Sequence, residues 1–128
     1  LTPALAIKDK KPFLSFAVQG GDTQDQNLLQ FFLNMVEFEM NVQEAAEAAN
    51  VNSYQMYSSF GTHSKEAGRI VVRDDTPPWV IKDLRSKGYN VVTRRLTSGP
   101  INAIWFDHKN GTMWGGSSNF GEDYGIGW

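Results

Sequence analysis

The chain holds 128 residues, 41% of them hydrophobic and 12% aromatic, with 12 basic against 14 acidic side chains and a net charge of −2. Such a chain is one globular domain or a piece of one, and without a basic run it carries no nucleic-acid footprint. Cysteine is absent, which excludes a disulfide framework, a thiolate metal site and a cysteine nucleophile.

No apolar run approaches the roughly 20 residues of a membrane span. No signal peptide is visible, and a first residue of Leu rather than Met predicts a processed chain or a piece cut from something longer. Residues 3–7 (PALAI) predict a first strand, 8–12 (KDKKP) a polar turn and 13–18 (FLSFAV) a returning strand. Together they form a hairpin. The near-continuous apolar run at 13–18 suits a strand covered on both faces.

Gly20-Gly21 then turns the chain, and Asp22 and Thr23 offer side-chain caps. Residues 23–26 spell T-x-x-Q, a capping-box pattern that opens a long amphipathic helix running toward Met40. Gln26, Gln30, Asn34, Glu37 and Asn41 fall in a polar strip roughly 80° wide. Leu28, Leu29, Phe31, Phe32, Leu33, Met35, Val36 and Phe38 cover most of the remainder. A helix this apolar is expected to be buried on more than one side.

Asn41 with Glu44 predicts a second capped helix over 42–49 (VQEAAEAA). Residues 50–67 are polar and tyrosine-rich without clear periodicity, and read mostly as loop. A strand over 68–73 (GRIVVR) follows, then a helix introduced by Asp74-Asp75-Thr76 and Pro77-Pro78 and ended by Gly88. Trp79, Val80, Ile81 and Leu84 are its expected apolar side. Residues 89–96 predict a strand and 97–100 (TSGP) a break. Residues 101–107 and 112–115 form a last hairpin over His108-Lys109-Asn110-Gly111, where Asn-Gly is the turn signal. The tail from Gly115 holds five of the twelve glycines and is expected to be irregular, ordered mainly by its aromatic residues. The fold class is therefore α/β in layers with antiparallel hairpins.

Few constellations survive as chemistry. The two histidines, His63 and His108, lie in a loop and a turn with no HxxxH or HExxH spacing, so no metal site is expected. No Walker-type or GxGxxG phosphate loop is present, and no GxSxG. Thr2 is preceded by Leu1 and reads as a strand start rather than a nucleophile. Asn110-Gly111-Thr112 matches a glycosylation sequon, but the tight turn accounts for it fully. The corner at Gly20-Gly21-Asp22 remains. It has two readings: a tight strand-to-helix turn, or a set of backbone N–H groups converging where negative charge is bound or develops. On the second reading the chain holds an oxyanion-type site without a nucleophile.

The run Thr2-Pro3-Ala4, the hairpin near Lys8 to Phe13, the segment GGDTQDQ from Gly20 to Gln26, the helix residues 29–34 and the segment 40–45 (MNVQEA) together resemble the C-terminal part of the γ-glutamyltranspeptidase small subunit. Residues 84–91 (LRSKGYNV) and 101–116 extend the likeness over essentially the whole chain. The resemblance implies an N-terminal-nucleophile hydrolase with an αββα sandwich, antiparallel hairpins and helices on the outer layers. It implies a precursor that cuts itself, after which a new N-terminal threonine attacks a γ-glutamyl amide and the acyl group passes to water or an amino acid. Gly20 and Gly21 match the pair that supplies oxyanion N–H groups; Asp22, Gln24 and Gln26 are candidates for the pocket mouth, the alternative being helix capping and first-turn solvation. The nucleophile and the carboxylate-binding arginine would lie upstream, so the partners implied are the large subunit and the N-terminal part of the small subunit. A small γ-glutamyl substrate is the ligand and no cofactor is implied. The isolated chain is expected to be inactive and to associate with copies of itself; the family's usual location is periplasmic or extracellular. Asp22 stands where many members carry serine. Asn50 lies near a usual arginine, and Ser117-Ser118-Asn119 near a usual Asp-Pro-Arg. These departures leave open an acylase of another amide, or a non-catalytic binding domain on the same fold.

Overall fold

Ala4–Lys8 (β1) and Lys11–Val18 (β2) pair antiparallel. Between them the chain reverses through Asp9 and Lys10, whose φ angles are 52° and 63°. Positive φ at both central positions matches the right-handed twist of the flanking strands. The structure, a computed structural model, describes residues 2–121, 125 and 126. They fall in two units, Leu1–Ala48 with Ser98–Trp128 and Ala49–Thr97.

In the first unit, Gln24–Val36 (α1) and Val42–Glu47 (α2) follow β2, and Ile101–Asp107 (β6) and Thr112–Ser117 (β7) close the chain. The sheet order is β1-β2-β6-β7, antiparallel throughout. Side chains alternate across a strand, and the register puts Leu14, Val18, Ile101 and Ala103 on the face toward the helices. There they form one core with Leu28, Phe31, Val42, Ala45 and Ala46. Leu14 is 0% exposed and Phe31 1%; the Phe31 ring lies 5.5 Å from Phe16, and Phe32 stacks on Phe16 at 6.0 Å. The backbone at Gly116 approaches α2 so closely that a Cβ would sit 2.7 Å from the Val42 carbonyl oxygen. The opposite face is uncovered within the described residues. Leu5, Ser15, Ile104 and Gly115 align across it, and Leu5 is 58% and Met113 70% exposed.

α1 ends earlier than the sequence predicts. Glu37 caps it, with its N–H donating to the Leu33 carbonyl, and Glu39 takes a φ of 55° so that the Met40 N–H reaches the Asn34 carbonyl. Burial is also narrower than expected: Leu29 and Phe38 stay exposed. The T-x-x-Q capping box does not form. Thr23 is itself helical and accepts no cap hydrogen bond. The box at α2 does form, the Asn41 side chain accepting from the Gln43 and Glu44 N–H groups while Glu44 accepts from the Asn41 N–H.

The last turn is held by Asp107. Its carboxylate accepts from the Lys109 and Asn110 N–H groups and from the Asn110 side chain, and Gly111 completes the reversal at a φ of 68°. The Asn110 side-chain donor lowers the Asp107 pKa, backbone donors adding to it against the cost of desolvation. A depressed folded value stabilises the hairpin above the ordinary carboxylate pKa of about 3.9; that contribution is lost as pH falls through the folded value. The full-length protein should therefore melt at a higher temperature than its Asp107→Asn variant at pH 6. The gap should shrink below about pH 4. A gap independent of pH would contradict this role.

The second unit holds Val51–Ser53 (β3), Arg69–Arg73 (β4), Pro78–Ser86 (α3) and Asn90–Arg94 (β5). Its sheet runs β3-β4-β5, with β3 antiparallel but β4 and β5 parallel. The parallel pair flanks α3 in the strand-helix-strand run expected over 68–96, and β3 lies in what reads as loop. Ile70, Val72 and Val91 pack with Ile81 and Leu84. Trp79 is 72% exposed, so the inner face of α3 is narrower than its composition suggests. Asn50, Asn52 and Thr97 are buried together: Asn52 donates to the Thr97 carbonyl, and the Thr97 hydroxyl donates to Asn50.

Candidate functional site

The end of β2 delivers the chain to the corner that the sequence singles out. Val18 is the last paired residue, opposite Ile101, and the Gln19 N–H still donates to the Pro100 carbonyl at 3.0 Å. Beyond that point the ladder stops and Gly20, Gly21 and Asp22 form the turn into α1. The Gly21 carbonyl accepts from the Gln24 N–H and the Thr23 carbonyl from the Asn27 N–H, both at 3.0 Å. Among the described residues, no acceptor lies on the Gly20 or Gly21 N–H. These donors stand beside the positive end of a 13-residue helix. Such a place suits a negative oxygen.

The other three predicted residues take different parts. Asp22 is exposed at the turn. Gln24 is turned back, its amide nitrogen donating to the Val18 carbonyl at 3.0 Å. The bond fastens the first turn of α1 to the strand end. Gln26 is half-buried, and its carbonyl accepts from the Gln30 side chain at 2.9 Å. Gly20, Gly21 and Asp22 are therefore contiguous in the corner, Gln24 ties it down, and Gln26 lies one step into the helix.

Sequence reasoning passed over the segment that faces the corner, Ser98-Gly99-Pro100. It read as a break between strands, and the only available signal was its Gly-Pro pair. Its position is set from behind. The buried Ser118 hydroxyl accepts from the Ile101 N–H, and the Ser118 N–H donates to the Ile101 carbonyl, both at 2.9 Å.

The histidines lie elsewhere. A His63 ring nitrogen donates to the Ser58 carbonyl and a His108 ring nitrogen to the Pro12 carbonyl. Among the described residues no group of three or more His, Cys, Asp or Glu is placed to hold a metal ion. No helix there is long and apolar enough to cross a membrane. Tyr124 and Trp128, two of the tail's aromatic residues, lie outside the described residues.

The glutathione hydrolase proenzyme of Bacillus subtilis is 30% identical over 128 residues, which is 98% of this chain and 20% of that protein. The acylase ACY 1 proenzyme of a Pseudomonas species is 26% identical over 115 residues, 90% of this chain and 18% of that one. A solved gamma-glutamyltranspeptidase from Pseudomonas nitroreducens shares the fold with a TM-score of 0.82 at 19% identity, covering 99% of this chain and 61% of that one. The chain spans about a fifth of the length of the curated relatives it matches. The mixed α/β architecture expected from the sequence is shared with this solved gamma-glutamyltranspeptidase. A family model for gamma-glutamyltranspeptidase matches residues 1–128, and the chain belongs to that family.

Proposed function

We propose that this chain is the C-terminal segment of an enzyme that cleaves γ-glutamyl amides and passes the acyl group to water or an amino acid. The observation that supports it is the pair of N–H groups at Gly20 and Gly21, which meet no acceptor among the described residues and stand beside the α1 N-terminus. Acyl transfer develops an oxyanion, and preorganised backbone donors stabilise it where it forms. The segment would supply this stabilisation, while a threonine nucleophile freed by self-cleavage would come from upstream. Asp22, Gln24 and Gln26 would shape the mouth. Asp22 can complement a cationic group on the substrate, and Gln24 acts by holding the corner to β2. The segment contributes no cofactor in this reading.

The uncovered face bearing Leu5, Ile104 and Met113 supports the remainder of the precursor as partner, since an apolar sheet face is stable only against another layer. Cut away from it, the segment would be inactive and prone to self-association. The acylase relative supports a second reading, in which the same corner serves a different acyl amide.

Full-length gene product assayed on a γ-glutamyl anilide and a fatty-acyl anilide separates these readings. Turnover of the first supports the transpeptidase reading, and turnover of the second alone supports the acylase. Activity on neither would leave a binding domain on the same fold.

A further inference from the structure

Gly99 touches the corner at the atom that matters most for its direction. A Cβ built on Gly99 would lie 1.9 Å from the Gln19 carbonyl oxygen and 2.7 Å from its carbon. Neither is a flexible side-chain end; both belong to backbone. The Gln19 carbonyl and the Gly20 N–H are the two ends of one peptide unit, which is planar and trans. Whatever fixes the oxygen therefore fixes the direction of the N–H. Gly99 has no positive φ, so glycine is required there for space and not for backbone conformation.

The segment that carries Gly99 is itself held. Pro100 accepts from the Gln19 N–H at 3.0 Å, and the Ser98 hydroxyl donates to the Gly99 carbonyl at 2.8 Å. The paired bonds between Ile101 and Ser118 anchor its far end to the strand pair β6–β7. A rigid strand pair thus presses a residue without a side chain against the peptide that bears the first donor.

We infer that Gly99 is a positioning residue for the acyl-transfer reaction, setting the direction of the Gly20 N–H through the Gln19–Gly20 peptide plane. This rests on the reading of the corner as an oxyanion site. Gly99 does not touch the reacting atoms. Its side-chain hydrogen is the only substituent that leaves the peptide where it is.

The test uses full-length, self-processed protein and the γ-glutamyl anilide. Gly99→Ala should lower kcat by about 100-fold, the effect of losing one oxyanion donor, with KM within about two-fold. The affinity for a boronate that mimics the tetrahedral anion should fall by a similar factor, while glutamate, a ground-state ligand, binds as before. Gly116→Ala is the matched control. Its Cβ would sit 2.7 Å from the Val42 carbonyl oxygen, crowding backbone away from the corner, and it should leave kcat within a few-fold. If Gly99→Ala does not fold, Pro100→Gly decides, because it loosens the segment without adding bulk. It should lower kcat at unchanged KM. An unchanged kcat in the variant that folds, or equal losses of boronate and glutamate affinity, would overturn the inference. A wild-type protein that turns over no γ-glutamyl anilide removes the corner reading itself, and the inference with it.

Discussion

Replacing Gly20 or Gly21 with proline in the full-length protein should lower kcat for γ-glutamyl transfer by about 10²–10³-fold while KM changes little. Proline removes the backbone N–H and fixes φ near −65°. Gly20 has a φ of 157°, so the substitution also turns the local backbone, and both effects withdraw the donor from the reacting oxygen. The cost should appear in kcat because the N–H groups meet full negative charge only in the transition state. Steady-state kinetics on protein already processed into two chains would check this. Retention of kcat within a few-fold in both variants would mean that the corner is a turn and nothing more.

Phe31→Ala should destabilise the protein by about 3–5 kcal/mol, the range for emptying a buried aromatic site. Phe31 is 1% exposed and packs between the strand residues and α2, with its ring 5.5 Å from Phe16. The cavity would open on the helix whose first turn carries the corner, so folding yield and self-processing should fall with it. Denaturant unfolding of the full-length protein measures the loss. Leu29→Ala, at an exposed position of the same helix, should be far milder unless another part of the precursor covers Leu29. A change below about 1 kcal/mol at Phe31 would show that the core is not organised as described.

The parts of this structure that were legible in the sequence are those whose causes are local. The apolar run of β2, the Asn41–Glu44 box and the Asn-Gly turn at residues 110 and 111 each announce themselves within a few residues. What was not legible depends on residues far apart in sequence. β3 is a three-residue strand, with no periodicity of its own; it exists because Ile70, Val71 and Val72 offer an edge to pair with. The parallel pairing of β4 with β5 is likewise invisible locally, since a crossover helix separates the two strands. The T-x-x-Q pattern fails because Thr23 is already helical, and the first turn is tied instead to the strand end through Gln24 and Val18. The candidate site divides in the same way. A glycine pair between strand and helix can be read directly, but the direction of its N–H groups is set by Gly99 and Pro100, which meet the corner only in the fold.

One measurement bears most directly on the corner as an oxyanion site. It is a crystal structure of the processed full-length protein with a boronate analogue of the γ-glutamyl group bound as its tetrahedral adduct. One boronate oxygen should lie about 2.7–3.1 Å from the nitrogens of both Gly20 and Gly21, with the Gln19 carbonyl still packed on Gly99. An adduct oxygen held by other donors, with Gly20 and Gly21 facing away from it, would show that the corner is not the oxyanion site.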